Sequence, residues 1–300
     1  MGSMDSGSNV DILMLGHFAK DRLVYADRDE ISSGGGVYYG SIALRRLGLR
    51  VAIVTRLHQD DFARLDRVKR EGVQVFAKPA PQTSGIANFY DPTDLDKRVC
   101  KPLGFAGPFH TADIPNVAAG IYAIVPIIAG EVDLSLLQAL ALRGPVALDV
   151  QGFVRFVEGD DLVSRPWPQM AEGLAYVTFL KVDGVEAELL TGETDFARAV
   201  RRLSDLGPRE IVLTQSSGLT VFSDGQIHQA PFTPRSLAGR TGRGDTCFAT
   251  YLGRRLNASP AEACQFAAAV TTLKLEIPGP WCGTVAEAEA LMASRETRTS

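Results

Sequence analysis

Six short apolar runs, rich in β-branched residues, alternate with amphipathic stretches along this 300-residue chain. The apolar runs are VDILMLG (10–16), VAIVTRL (51–57), YAIVPII (122–128), VALDV (146–150), YVTFLKV (176–182) and EIVLTQ (210–215). Between them lie YYGSIALRRLG (38–48), VDLSLLQALALRG (132–144) and TDFARAVRRLSDLG (194–207), whose apolar residues recur at helical spacing. Runs that are apolar throughout, rather than every second residue, fit strands buried on both faces. Such strands separated by helices form a mostly parallel central sheet flanked by helices. Gly48, Gly144 and Gly207 stand where a helix ends and a left-handed residue is needed.

Two segments break the alternation. DRLVYADRDEI (21–31) and SGIANFYDPTDLDKRVCKPLG (84–104) read as short, polar-alternating strands with turns, a small antiparallel flap or lid beside the main sheet. One domain over residues 10–290 is expected. MGSMDSGSN (1–9) lacks an apolar signal core and reads as a tag or disordered terminus, and 291–300 as a loose tail.

A formal charge of −4 gives no general attraction to nucleic acid or to an anionic membrane surface. No apolar run approaches the roughly 18 residues of a membrane span. Cys100, Cys247, Cys264 and Cys282 form no CxxC pair. A reduced, cytoplasmic protein without zinc or a disulfide framework is the default expectation.

The stretch AGRTGRGDTCFATYL (238–252) places an aspartate where a glycine-rich loop turns into a helix. The amides of Gly242, Arg243 and Gly244 would point out of that helix N-terminus, a place that attracts phosphate. Asp245 could take a proton from an alcohol while that anion hole holds a phosphoryl group. It could equally complement the helix dipole, and spacing alone leaves both roles open. KVDGVEAELLTG (181–192) places Asp183 and Glu186 at a strand-to-helix junction. The pair reads as a capping box, with water-mediated magnesium binding as the alternative. In SSGGGVYYGSIALRRLG (32–48) glycines open a helix, either as a plain loop or as a surface against which a sugar lies. Asp21, just past the first strand, is either solvated or a partner for substrate hydroxyls. No GxxxxGKS/T, HExxH or GxSxG motif is present, so P-loop, zinc-protease and serine-hydrolase readings have no support.

In order and spacing these segments resemble the PfkB, or ribokinase-like, family of carbohydrate kinases. GGGVYYGSIALRRLG is similar to its N-terminal glycine motif, TGRGDTCFATYL to its C-terminal motif, usually close to DTTGAGDxF, and DGVEAELLTG to its NxxE element. The resemblance implies a ribokinase-like fold and ATP- and Mg²⁺-dependent phosphorylation of a small sugar or polyol. It implies Asp245 as catalytic base, Gly242, Arg243 and Gly244 as anion hole, and Asp21, Gly34, Gly35 and Tyr39 at the substrate. Lys181, Thr214, Ser216, Gly218 and Lys274 would bind nucleotide, the last from the segment 267–280 that would form the adenine pocket. Glu186 and Asp183 would act on the metal, through water. Gly239 stands where the family often has an aspartate tied to a monovalent-cation site, which puts potassium dependence in doubt. LDVQGFVR (148–155) and FLKVDGVEAELLTG (179–192) resemble the myo-inositol kinase branch, making a cyclitol the leading acceptor. A nucleoside acceptor, with Tyr38, Tyr39 and Phe89 as walls, and a non-catalytic metabolite binder are the alternatives. A homodimer through the lid strands is a further expectation.

Overall fold

The computed structural model describes residues 9–91 and 98–299. Its strands, in chain order, are β1 Val10–Leu15, β2 Ala19–Val24, β3 Asp29–Gly34, β4 Val51–Leu57, β5 Gln74–Pro79, β6 Gly85–Tyr90 and β7 Arg98–Gly104. There follow β8 Ala119–Ile124, β9 Val146–Asp149, β10 Arg155–Glu158, β11 Asp161–Ser164, β12 Phe179–Asp183, β13 Glu210–Thr214, β14 Gly218–Ser223 and β15 Gln226–Pro231.

Nine of these strands form one sheet, in the order β15-β14-β13-β12-β9-β8-β1-β4-β5. From β13 to β5 every neighbouring pair is parallel, whereas β14 and β15 add an antiparallel hairpin at one edge. Helices Gly36–Arg46, Arg243–Arg255 and Pro260–Leu275 bury apolar faces in the same core cluster as one side of the sheet. Helices Leu134–Ala141, Gly184–Thr191 and Phe196–Ser204 do so on the other side. Strands covered on both faces explain the continuous apolar runs.

The chain leaves β1 for β4 in one direction and β8 for β9 in the other. The carboxyl ends of β1 and β8 therefore flank the point where strand order reverses, where open α/β sheets bind ligands. Above that crevice lies a second sheet of four strands, β3-β2-β6-β7. This is the expected lid, shifted in its limits to 19–34 and 85–104; part of the expected segment, 92–97, lies outside the described residues. Ile31, Val99 and Leu103 are exposed on it.

Several local expectations are corrected. The run YAIVPII ends as a strand at Ile124, because Pro126 has no amide to donate to a neighbour. Gly144 does not take the left-handed conformation that Gly48 (φ 81°) and Gly207 (φ 139°) adopt; that helix is closed instead by Leu142. Residues 291–299, expected to be loose, continue the helix Val285–Thr299, whose apolar face packs on Trp281 and Phe266. The lid is not antiparallel throughout: β2–β3 and β6–β7 are, but β2 and β6 pair in parallel. The hairpins β10–β11 and β14–β15 were not anticipated. No helix among the described residues is long and apolar enough to cross a membrane.

Candidate active site

The crevice holds a cavity of about 260 Å³ between the main sheet and the lid. Its floor is Val125, Pro126 and Ile127, the segment that leaves β8 once strand pairing has stopped. Gly35, Gly36 and Tyr39 enter from the glycine-rich helix start, and Gly242 to Asp245 from the second glycine loop. Asp21 and Asn88 reach in from the lid.

Asp245 lies in the first turn of Arg243–Arg255, a helix whose N-cap, Gly242, supplies no side chain. The amides of Gly244 and Asp245 stand in a turn that has no earlier helical carbonyls to receive them. The Arg243 amide differs from expectation. It donates to the Arg240 carbonyl at 3.2 Å, so of the three expected amides that of Arg243 is already engaged within the loop. Gly242 has φ 80°, and a Cβ there would overlap the Tyr39 ring. Only glycine satisfies both demands at this position. Across the cavity a Cβ on Gly36 would sit 3.3 Å from Asp245 Oδ1, so a bare backbone lets the two glycine segments close on the carboxylate.

Burial and the neighbouring Asp149 charge raise the Asp245 pKa to about 6, with Lys181 pulling the other way. The group is therefore ionised near neutrality yet poorly solvated, a suitable state for a general base. Lys181 Nζ lies 3.1 Å from Asp149 Oδ1 and 3.6 Å from Glu186 Oε2. Burial alone would lower its pKa, but the carboxylates of Asp149, Glu186 and Asp183 overcome this and hold it charged. A Cβ on Gly244 would come within 3.9 Å of that ammonium, so Lys181 underlies the start of the Arg243–Arg255 helix.

The other expected residues separate into two groups. Asp21 lines the cavity and accepts a hydrogen bond from the Ile86 amide at 2.8 Å, which ties lid strands β2 and β6 together above it. Gly34 does not line it; it ends β3 and leaves room for the Asp21 carboxylate. Asp183 and Glu186 form the capping box, Asp183 N to Glu186 Oε2 at 2.7 Å and Glu186 N to Asp183 Oδ1 at 2.8 Å. Burial raises the Glu186 pKa despite Lys181. Thr214 pairs beside Asp183 at the end of β13, and Ser216 and Gly218 shape the turn into β14, where the Gln215 amide donates to the Gly218 carbonyl. None of these three lines the cavity. Lys274 is 1 % exposed and donates to the carbonyls of Gly239 and Gly279 at 2.6 and 2.8 Å. Burial lowers its pKa to about 8.

Sequence reasoning passed over several residues that line the cavity: Asn88, Tyr90, Asp149, Gln151, Arg155 and Arg240. Asp149 carried a usable signal, since it ends a buried strand at the sheet edge where ligands bind. Tyr38 and Phe89 are absent from the lining. Tyr38 instead packs edge-on against Phe18 with centroids 5.5 Å apart. Among the described residues no group of three His, Cys, Asp or Glu side chains could hold a metal.

No sequence profile of a known protein family matches the chain. A cytidine kinase from Thermococcus kodakarensis is 24% identical over 267 residues, covering 85% of this chain and 92% of the relative. A pyrophosphate-dependent kinase in the ribokinase family, solved with a pyrophosphate analog and myo-inositol, superposes with a TM-score of 0.85 at 35% identity. The match covers 93% of this chain and 99% of that one. A sulfate complex of a pyrophosphate-dependent kinase in the ribokinase family gives 0.86 and 36% over the same shares. Identity at this level over 93% of the chain means that it belongs to the ribokinase family and is a phosphotransferase.

Proposed function

We propose that the protein transfers a phosphoryl group to a hydroxyl of a small cyclitol or related polyol, with Asp245 as general base. The observation that carries this is the facing of Asp245, on an amide-bearing helix start, by the polar lid residues Asp21 and Asn88 across one cavity. An acceptor lying against Gly35 and Gly36 would give hydrogen bonds to Asp21 and present one hydroxyl to Asp245. As that hydroxyl attacks the donor's terminal phosphorus, its proton passes to the Asp245 carboxylate and the donor's bridging P–O bond breaks, releasing phosphate from pyrophosphate or ADP from ATP. The amides of Gly244 and Asp245 and the guanidinium of Arg243 offset charge on the transferred group. Lid strands over the crevice exclude water, which would otherwise take the phosphoryl group.

The cavity volume favours a compact acceptor. At about 260 Å³ it lies just below the usual range of about 300–1,000 Å³ for ligand pockets. A nucleoside is the second reading, favoured by the cytidine kinase relative.

For the donor, we infer pyrophosphate ahead of ATP. The similar structures at 35–36% identity are pyrophosphate-dependent kinases. Arg240 and Arg243 supply charge at the phosphate end, whereas the expected nucleotide positions Thr214, Ser216 and Gly218 contribute nothing to the cavity wall. ATP remains the second donor. Magnesium fits this donor set as an ion carried chiefly by donor phosphates and water, because Asp183 and Glu186 already accept each other's amides. Those two carboxylates would hold it through water, and the bound ion would neutralise charge on the phosphates.

The test is a two-way panel. Pyrophosphate and ATP are each offered with magnesium against myo-inositol, other cyclitols, pentoses, hexoses and cytidine, and the phosphorylated product is followed by phosphorus NMR. Turnover of a cyclitol with pyrophosphate is the expected result; product only from cytidine, or from no acceptor, overturns the acceptor assignment. On the productive pair, kcat/KM is expected to fall about tenfold per pH unit below about pH 6, as Asp245 takes up a proton and ceases to be a base. A flat profile between pH 5 and 7 would remove Asp245 from that role.

A further inference from the structure

Lys274 is a lysine with its charge at the wrong end for a surface role. It sits near the end of helix Pro260–Leu275 yet is 1 % exposed, and its ammonium is held by two backbone carbonyls, Gly239 O and Gly279 O. No carboxylate accepts from it at hydrogen-bond distance among the described contacts. Its Nζ also lies 5.5 Å from the centroid of Tyr39, the ring against which Gly242 rests. The charge is thus one layer behind the anion-binding loop.

Gly239 is fixed from several sides. Its amide donates to Leu275 O at 2.7 Å and its carbonyl accepts from Lys274, while a Cβ would overlap the Ile277 and Lys274 carbonyls. An aspartate at this position has no room. Carbonyl oxygens converging on one buried positive charge are the ligand chemistry of a weakly hydrated monovalent cation. Here a tethered ammonium already fills that place, so the residues present do not fit a free ion there.

We propose that Lys274 is a positioning residue: its ammonium acts as a built-in monovalent cation that holds the 239–244 loop against the 274–279 turn and keeps positive charge behind the phosphoryl site. The wild-type enzyme accordingly needs no potassium, and removing the side chain creates a demand for it. The catalytic part of this inference rests on the kinase reading above; the binding part does not.

The test compares wild type, Lys274→Ala and Lys274→Met in tetramethylammonium, sodium, potassium and ammonium chlorides at equal ionic strength. Two readouts are taken: the thermal midpoint, and kcat and KM on the productive donor–acceptor pair. Wild type is expected to be indifferent to the cation in both. Lys274→Ala should lose on the order of tenfold or more in kcat in tetramethylammonium, through a misplaced loop, with acceptor KM little changed. Potassium or ammonium should restore most of that loss and raise the midpoint. Lys274→Met, which fills the space without charge, should stay impaired in every salt. If Lys274→Ala does not fold in tetramethylammonium, refolding in potassium alone supports the proposal and refolding in neither salt overturns it. A wild type stimulated by potassium, or a folded Lys274→Ala whose midpoint ignores the cation, also overturns it. Absence of turnover with every substrate would defeat the kinase reading while leaving the thermal readout decisive.

Discussion

Asp245→Asn should remove most turnover while making the protein more stable. Loss of the base is expected to lower kcat by about 10²–10⁴-fold, because the amide keeps the shape and loses the proton acceptor. The stability effect follows from the raised pKa. A carboxylate whose pKa is about 6 in the folded chain, against the ordinary 3.8, weakens the fold fully above pH 6 and not at all below about 4. Asparagine removes that penalty, a gain of about 1–3 kcal/mol at pH 7.5 that shrinks as pH falls through 6. Urea unfolding of both proteins at pH 7.5 and 4.5, beside the turnover assay, checks the pair. A variant that is inactive and also less stable at pH 7.5 would mean that Asp245 serves the fold rather than the chemistry.

Lys181→Met should produce the largest loss of stability of any single change at the site. The ammonium is buried between Asp149 at 3.1 Å and Glu186 at 3.6 Å, with Asp183 close by. Without it, two or three carboxylates face one another in a water-poor space. Breaking a buried pair by removing one partner costs about 3–5 kcal/mol. Glu186 already has a raised pKa with the lysine present, so the variant should regain stability as pH drops and the carboxylates become neutral. Chemical unfolding at pH 7.5 and pH 5.5 measures both parts. An unchanged midpoint at pH 7.5 would show that water or ions solvate the cluster as well as Lys181 does.

The sequence disclosed the buried strands because parallel strands covered on both faces must be apolar along their whole length. It marked Asp245 and its glycines as cavity-lining because a glycine-rich loop opening a helix at the carboxyl side of the sheet is where ligands of open α/β sheets bind. Hairpin β14–β15 was equally legible and was passed over: Asp224-Gly225 lies between two strand-like runs, and both residues take positive φ (50° and 78°), as a tight hairpin turn demands. Other features were not legible at all. That Arg243 turns its amide onto Arg240 depends on the path of the loop. That Lys274 points inward depends on carbonyls of Gly239, 35 positions away, and Gly279. A lysine near a helix C-terminus reads as a favourable partner for the dipole, and no local pattern marks it as buried. The same holds for Thr214, Ser216 and Gly218. Their loop is easily placed along the chain, but its distance from the cavity emerges only once β13 and β14 are paired.

The ring of Tyr39 beneath Gly242 ties together two segments that lie about two hundred positions apart in the chain. Any side chain at 242 needs the space the ring fills, and any smaller residue at 39 opens a void under the turn that starts the Arg243–Arg255 helix. Neither position can drift alone without cost, so the pair should change as a unit among descendants of this chain. A chimera that exchanges only the first or only the last third with a relative lacking the tyrosine should inherit a mismatched joint at this contact. Designers recombining such kinases would therefore do well to treat residues 39 and 242 as one inherited character.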